Sequence, residues 1–171
     1  RRIRLDLSGV NKGYALEKGS QLLSKGEEKF LYLRIGNKYV FGVAFQEGKM
    51  EGPDQLSQQT AQGPTDIVAS FGAGYGIGRY GGNFQEFYTK NGKKYSYTID
   101  PQTGYPTRNS LLSVTVLARN AAYADAMATS YMVMGKENAR SHAVRKVDLE
   151  AFFITTDEKG RIRTDRTSGV R

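Results

Sequence analysis

The order of apolar and polar residues along the chain predicts short strands mixed with a few helices. Residues 2–7 alternate strictly, with three aliphatic side chains on one side, which is typical of a half-buried strand. A helix is predicted over Val10–Lys25, with Ser8 as its candidate N-cap and Gly13 as a residue that weakens it. The first 25 residues therefore predict a strand followed by a helix.

The middle of the chain is poorer in apolar residues. Strands are predicted over Lys29–Ile35 and Tyr39–Phe45, joined by a short turn. Residues 46–65 are rich in Gln, Gly, Ser and Thr, which favours a long surface loop, and loops of this length often carry function. A short apolar run follows at Asp66–Phe71.

The second half has clearer boundaries. Asn91-Gly92 is typical of a two-residue hairpin turn, since both positions of a type I′ turn require positive φ. Asn120 is a candidate N-cap for the next helix, which ends at Gly135. The predicted elements are strands Phe84–Lys90, Lys93–Ile99 and Leu111–Ala118, a helix over Ala121–Met134, a weaker helix to about Lys146, and a closing hairpin of Leu149–Thr155 and Gly160–Arg166. Hairpins mixed with a few helices predict an α+β fold with mixed or antiparallel sheets.

Residues 76–81 match the pattern G-x-G-x-x-G. A dinucleotide-binding fingerprint needs this turn to open a helix, so that the phosphate meets the helix N-terminus. Here the pattern leads into an aromatic, strand-like segment that begins at Phe84. The sequence therefore argues against a Rossmann site.

Composition excludes several kinds of chemistry. The 171 residues, 39% of them hydrophobic, suffice for a single domain with a core. There is no cysteine and His142 is the only histidine, which excludes disulfides, thiolate nucleophiles and multi-histidine metal sites. No apolar run approaches the ~20 residues of a membrane span. The candidates that remain are carboxylates, hydroxyls, Lys and Arg.

The net charge of +8 raises nucleic acid as a partner. Seven of these charges lie in residues 1–4 and 159–171, so the body of the chain is nearly neutral. Single-strand readers interleave aromatic residues with Lys and Arg, whereas the Phe and Tyr residues here lie mostly in the neutral middle. This distribution argues against nucleic-acid binding.

Three clusters could carry chemistry. Asp125 and Thr129 are four residues apart on a predicted helix, where a carboxylate and a hydroxyl could ligate Mg²⁺, or the acid could simply stabilise the start of the helix. The segment Asp6–Gly13 places an acid, helix N-terminal amides and Lys12 at a strand–helix junction, which could receive a diphosphate or be an ordinary helix start. The segment Asp100–Pro106 (D-P-Q-T-G-Y-P) could be functional or a rigid turn.

In this order and spacing, the three clusters resemble the ApbE family of flavin transferases. The segment D-L-S-G-V-N-K-G-Y-A from Asp6 is similar to the family's D-L-G-G-I-A-K-G-Y-A. Y-S-Y-T-I-D-P-Q-T-G-Y-P from Tyr95 is similar to Y-S-H-x-I-D-P-x-T-G-Y-P. S-V-T-V from Ser113 and A-D-A-M-A-T from Ala124 match S-V-T-V and A-D-A-x-A-T, so that the resemblance extends over essentially all 171 residues.

The resemblance implies a Mg²⁺-dependent transfer of FMN from FAD to a threonine or serine of a target protein, or hydrolysis of FAD. It implies that Asp125, Thr129 and the backbone carbonyl of Gly9 ligate the metal, and that Asp6 and Lys12 contact the flavin nucleotide. It also implies a protein exported from the cytoplasm or anchored at the membrane.

Three positions differ from the family pattern. Tyr97 stands where the family has a histidine, and a phenol with its usual pKa of about 10 is a poor general base at neutral pH. Lys38 follows Gly36-Asn37 where the family has Gly-Gly-Asp/Asn, and the family's T-S-G is replaced near Tyr80-Gly81-Gly82. The catalytic base therefore stays unassigned, and a relative that binds flavin, metal or a partner without transfer is the alternative.

The resemblance also implies that the domain extends beyond the N-terminal end of these 171 residues. Asp6 lies at the very start, whereas family members have a substantial part ahead of this motif that adds FAD contacts. We therefore expect residues 1–171 to form a single ApbE-like domain that is incomplete at its N-terminus.

Overall fold

The computed structural model describes residues 4–23, 32–35, 38–41, 55–60, 63–70, 76–80, 87–90, 93–96, 98–118 and 120–170. Side chains are described for residues 4–19, 21–22, 98–118 and 120–170. The elements in this part of the chain are α1 (Asn11–Leu23), β1 (Tyr32–Ile35), β2 (Lys38–Phe41), β3 (Gln55–Thr60), β4 (Gly63–Ser70), β5 (Gly76–Tyr80), β6 (Phe87–Lys90), β7 (Lys93–Ser96), β8 (Leu111–Ala118), α2 (Ala121–Met134), α3 (Lys136–Ala143), β9 (Leu149–Thr156) and β10 (Ile162–Arg166).

Six strands form one antiparallel sheet in the order β1-β2-β5-β8-β9-β10. β8 lies inside this sheet, where it pairs with β5 on one side and β9 on the other. Two further pairs, β3-β4 and β6-β7, form separate two-stranded sheets. Helices together with antiparallel sheets confirm the predicted α+β class.

The core lies on both faces of the β8–β9 region. On the helix side, Val114 and Phe153 are fully buried in one cluster with Ala124 and Ala128 of α2. The small alanine side chains let α2 approach the sheet closely. Each buried valine or phenylalanine contributes roughly 1.5–3 kcal/mol by leaving water. The adjacent residue of β9, Phe152, points to the opposite face of the sheet and belongs to a second cluster there.

The C-terminal segment completes this second cluster. Val170 is 3% exposed and belongs to it. The Thr167 hydroxyl accepts a hydrogen bond of 2.8 Å from the backbone N–H of Ala151. The same hydroxyl donates to the Glu150 carboxylate, which also accepts from Gly169 N–H at 3.0 Å. Side-chain bonds to Thr167 therefore fix the tail against β9.

Several boundaries follow the predicted ones closely. β8 and α2 occupy the predicted ranges, and the Asn120 side chain caps α2 by accepting from Tyr123 N–H at 2.9 Å. The hairpins β1-β2, β6-β7 and β9-β10 are all present, although the turns 36–37 and 91–92 lie outside the described residues. Gly76–Tyr80 is a strand, which confirms that the glycine-rich pattern does not open a helix. No helix in the described part of the chain is long and apolar enough to cross a lipid bilayer.

Two of the predicted secondary-structure elements were wrong over the described residues. Residues 4–7 are not a strand, and Leu5 and Leu7 are 88% and 67% exposed, because alternation yields a buried face only where a partner covers it. Residues 55–60 and 63–65 of the predicted loop belong to β3 and β4, which pair with two register shifts. Their polar side chains hide the period-two pattern that reveals most strands. Residues 1–3, 46–54 and 61–62 lie outside the described part.

Candidate functional site

The three residues predicted as metal ligands meet where the start of α1 packs against α2. Asp125 and Thr129 lie one turn apart on α2, so their side chains share a face of the helix. The Asp125 carboxylate is 5% exposed and accepts a hydrogen bond of 2.8 Å from Gly13 N–H. The Thr129 hydroxyl donates to the carbonyl oxygen of Gly9 at 3.2 Å. One carboxylate, one hydroxyl and one carbonyl therefore lie along a single helix contact.

Two glycines make this close approach possible. A Cβ on Gly9 would lie 2.8 Å from Cγ2 of Thr129. A Cβ on Gly13 would lie 2.6 Å from Cβ of Asp125 and still closer to the carbonyl oxygen of Ala121. The sequence predicts only that Gly13 weakens the helix. In the structure, the absence of a side chain at Gly13 lets α1 come within hydrogen-bonding distance of the Asp125 carboxylate. Both glycines are thus required by the packing of this site.

Asp125 does not cap its own helix. The cap of α2 is Asn120, and Asp125 lies a full turn later with its carboxylate turned to α1. Glu17 on α1 makes a second link between the two helices. Its Oε2 accepts a hydrogen bond of 2.9 Å from the backbone N–H of Ala121, at the start of α2. Sequence reasoning missed Glu17, because its partner lies 104 positions away and no local pattern marks the pair.

Asp6 lies in the exposed segment just before α1. Its Oδ1 accepts a hydrogen bond of 2.8 Å from Ser8 N–H. This backbone bond, together with one from the Ser8 hydroxyl, holds the pKa of the Asp6 carboxyl below its usual range. Ser8 lies in the turn over residues 8–10 and the helix begins at Asn11, so the predicted N-cap at Ser8 was wrong. Asp6 is ionised at neutral pH.

The backbone amides at the start of α1 are partly engaged inside the protein. Val10 and Asn11 donate their N–H groups to the carbonyl of Leu7 at 3.1 and 3.0 Å. Gly13 donates to Asp125, so these three amides at the predicted diphosphate-binding junction are already bonded within the protein. Lys12 lies among them and is partly exposed. A phosphate at this junction would depend chiefly on the Lys12 ammonium.

The third cluster, residues 100–106, is a rigid turn. Gly104 has φ +73° and donates its N–H to the carbonyl of Asp100 at 2.7 Å. The Asp100 carboxylate accepts from Gln102 N–H at 2.9 Å and from the Thr103 hydroxyl at 3.2 Å. Tyr105, 73% exposed, projects from the turn. Tyr97, which precedes this turn, lies outside the described residues.

The donor set at the α1–α2 contact fits a hard cation. Carboxylate, hydroxyl and carbonyl oxygens are ligands that Mg²⁺ prefers, with water or substrate phosphate completing the shell. Within the described part of the chain, no group of three or more His, Cys, Asp or Glu side chains is placed to hold a metal ion. A cation at this contact would therefore depend on Asp125 together with neutral oxygens.

Two arginines of the basic C-terminal region share one acid as an ion-pair partner. Arg161 and Arg163 approach Asp157 at 2.8 and 3.3 Å. Hydrogen bonding from the backbone N–H of Arg161 holds the pKa of the Asp157 carboxyl below its usual range. Asp165 similarly pairs with Lys136 at 3.3 Å. These ion pairs offset part of the positive charge on this surface.

The chain matches the family model described as the ApbE family over residues 1–153. The FAD:protein FMN transferase of Escherichia coli (strain K12) is 34% identical over 158 residues, which cover 90% of this chain and 43% of that protein. The crystal structure of the apo form of Pseudomonas stutzeri flavinyl transferase ApbE is similar with a TM-score of 0.72 and 26% identity, covering 97% of this chain and 50% of that one. A mutant of flavin transferase ApbE from Vibrio cholerae has a TM-score of 0.74 and 26% identity, covering 96% and 51%. This chain thus spans about half the length of these relatives.

Proposed function

The chain belongs to the ApbE family, and on that premise we propose that it acts in the transfer of FMN from FAD to a serine or threonine hydroxyl of a target protein. The observation that carries this proposal is the meeting of Asp125, Thr129 and the Gly9 carbonyl between α1 and α2. These residues come from two segments more than 110 positions apart in the sequence. Their oxygens would hold a Mg²⁺ ion beside the start of α1.

The Mg²⁺ ion, when bound, would supply positive charge to the FAD diphosphate and to the departing phosphate of AMP. Asp125 provides the one negative charge among the three proposed ligands. The hydrogen bond from Gly13 N–H fixes the orientation of its carboxylate, as partners of ligating carboxylates commonly do. The close contact of Gly9 with Thr129 holds the carbonyl and hydroxyl oxygens at fixed separation.

Lys12 and Asp6 would serve the nucleotide in different ways. The Lys12 ammonium on the first turn of α1 would pair with the diphosphate as a point charge. Asp6 is ionised and would be repelled by phosphate, so its carboxylate would instead accept hydrogen bonds from hydroxyl or amino groups of the flavin nucleotide.

The transfer itself exchanges one P–O bond for another. The acceptor hydroxyl oxygen forms a bond to the FMN-side phosphorus, while the bond from that phosphorus to the bridging oxygen breaks and AMP leaves. The hydroxyl proton must pass to a base or to water. Tyr97 occupies the family's histidine position and is a poor base while its phenol is protonated.

The test combines binding and turnover. Mg²⁺ and FAD are titrated into the protein by calorimetry, and the protein is then incubated with both and a flavinylation-motif peptide. We expect FMN-labelled fluorescent peptide and AMP in equal amounts, with both lost in EDTA. Asp125→Asn should lower Mg²⁺ affinity by about 100-fold. Asp148→Asn is the matched control, because Asp148 is an exposed carboxylate in the turn before β9.

The outcomes distinguish a protein that transfers FMN from one that binds flavin and metal without transfer. Absence of FAD binding, Mg²⁺ binding and both products would overturn the proposal. Binding of FAD and Mg²⁺ without either product would support the alternative of a binding protein that has lost transfer. Restoring the histidine in Tyr97→His then decides between the two, because recovered transfer indicates an enzyme impaired at that one position.

A further inference from the structure

The first helix and the turn before it meet α2 through three polar contacts that follow one another at intervals of one helical turn. In each contact, a side chain from one segment bonds a backbone group of the other. The pairs are Gly9 with Thr129, Gly13 with Asp125, and Glu17 with Ala121. Each step of four residues forward from Gly9 corresponds to a step of four residues back from Thr129, so the two segments run antiparallel in a single register.

Both oxygens of the Glu17 carboxylate have hydrogen-bond donors. Oε2 accepts from Ala121 N–H at 2.9 Å, and Oε1 accepts from Gln21 Nε2 at 3.2 Å. Gln21 lies one turn further along α1, so its amide holds the carboxylate from the same helix. Within the described part of the chain, Glu17 belongs to no group of three or more side chains placed to hold a metal ion. Its bonds therefore suit a role in joining the helices better than a role as a metal ligand.

The Ala121 N–H needs a partner from outside its own helix. It belongs to the first residue of α2, and the first amides of a helix have no carbonyl acceptor within that helix. The cap residue, Asn120, bonds Tyr123 N–H instead, and α2 has no acid in its own first turn. Ala121 is only 3% exposed, which leaves little access for water. Glu17 thus supplies both the missing acceptor and the negative charge that a helix N-terminus favours.

The candidate metal site is sensitive to the register of this contact. A helix advances about 1.5 Å per residue, whereas ligand distances at a metal ion must be correct to within about 0.2 Å. A slide of α1 by a small part of one residue would therefore displace the Gly9 carbonyl relative to Thr129. The bond of Glu17 resists this slide, because it holds α2 two turns, or about 12 Å, from Thr129 and so opposes rotation about the other two contacts.

We propose that Glu17 is a positioning residue for the candidate metal site. By bonding the first amide of α2, it fixes the register in which Gly13 N–H meets Asp125 and the Gly9 carbonyl reaches the ion. The inference rests on the proposed transfer function, of whose metal site it is a part. Glu17 acts through the packing of α1 and does not touch the ion. Replacing a residue that orients metal ligands commonly lowers metal affinity by about 10- to 100-fold.

Mg²⁺ affinity measured by calorimetry tests this role without turnover. Glu17→Ala should weaken Mg²⁺ binding by about tenfold or more, because the Ala121 amide loses its acceptor. Glu17→Gln removes the charge and keeps an oxygen that can accept the same bond, so its affinity should stay within about threefold of that of the unmodified protein. Glu137→Ala is the matched control, since Glu137 is an exposed acid in the first turn of α3 and its loss should change the affinity less than about twofold.

A further variant separates the register of the helices from the stability of α2. Asn120→Ala removes the hydrogen bond from Tyr123 N–H to the cap, at the same end of the helix that Glu17 holds. It should lower the midpoint of thermal unfolding by about 1–8 °C, as Glu17→Ala should also do. Because Asn120 makes no such bond to α1, its replacement should leave Mg²⁺ affinity within about twofold.

Three results would overturn the inference while the transfer proposal stands. The first is an affinity in Glu17→Ala within about twofold of that of the unmodified protein. The second is an equal loss in Glu17→Ala and Glu17→Gln, because the charge and not the hydrogen bond would then be acting. The third is a loss in Asn120→Ala as large as that in Glu17→Ala, which would assign the effect to the stability of α2.

The remaining outcomes separate this inference from the proposed function. If Mg²⁺ binding depends on Glu17 as expected, but the protein forms neither labelled peptide nor AMP, the positioning role stands and the transfer proposal fails. If the unmodified protein binds FAD and forms both products in EDTA but does not bind Mg²⁺, the positioning role fails and transfer stands without the metal. Absence of Mg²⁺ binding together with absence of both products overturns both.

Discussion

Replacing Gly13 with alanine tests whether the contact between α1 and α2 holds the candidate site together. Gly13 lies in the third position of α1, and its N–H donates to the buried carboxylate of Asp125. On helix propensity alone, this substitution would stabilise the protein by about 1 kcal/mol. The structure predicts the opposite sign.

The magnitude follows from the position of the added methyl group. Its carbon would lie 2.6 Å from Cβ of Asp125 and nearer still to the carbonyl oxygen of Ala121, where ordinary carbon contacts are about 3.5–4.0 Å. Neither neighbour is the flexible end of a side chain, so α1 must move away. Overpacking of this kind costs about 1–3 kcal/mol, and weakening a hydrogen bond to a charged group adds roughly 1.5–3 kcal/mol. After the propensity gain of about 1 kcal/mol is subtracted, we expect a net loss of about 1.5–5 kcal/mol.

Thermal unfolding followed by circular dichroism at ~222 nm measures this loss, which corresponds to a midpoint lowered by about 3–20 °C. Ala15→Gly is the matched control, because Ala15 is exposed on the same helix and should show only the propensity cost of about 1 kcal/mol. Mg²⁺ affinity, measured by calorimetry, should fall in Gly13→Ala and not in Ala15→Gly. A Gly13→Ala protein as stable as the unmodified one would refute the packing argument.

Three further predictions address the site, a helix end and a surface ion pair. Asp125→Asn keeps an oxygen that can accept from Gly13 N–H, so it should lose Mg²⁺ binding with little change in stability, whereas Asp125→Ala should also cost about 1–3 kcal/mol in chemical unfolding. Gly135 ends α2 at φ +75° and ψ 164°, a region almost restricted to glycine, so Gly135→Ala should cost on the order of 1–3 kcal/mol in the same assay. The pKa of Asp157 is lowered in the folded protein, so its charge stabilises the fold above the unfolded value of 3.8 and this contribution is lost as the pH falls through the lower folded pKa. The unmodified protein should therefore unfold at a higher temperature than Asp157→Asn at pH ~7, and the difference should shrink as the pH falls below 3.8. A difference that does not shrink on acidification would contradict this cause.

Local patterns predicted the second half of the chain well. α2 begins after Asn120 and ends at Gly135 because a cap residue and a glycine act within one turn of the helix end. β8 and β9 were recognisable from their dense apolar and β-branched residues. The loop predicted over 46–65 failed where β3 and β4 pair, because polar side chains give a strand no apolar period.

The sequence by itself determined the α+β class, the limits of its clearest elements, the oxygen-based chemistry left by a chain without cysteine, and the motifs that resemble one family. Only the tertiary structure decided which of those residues meet. The bonds of Gly13 to Asp125, of Glu17 to Ala121 and of Thr129 to Gly9 join positions 104 to 120 residues apart. Propensity and capping act over a few residues, whereas such contacts depend on how closely two helix faces can pack, and here the absence of two glycine side chains sets that distance.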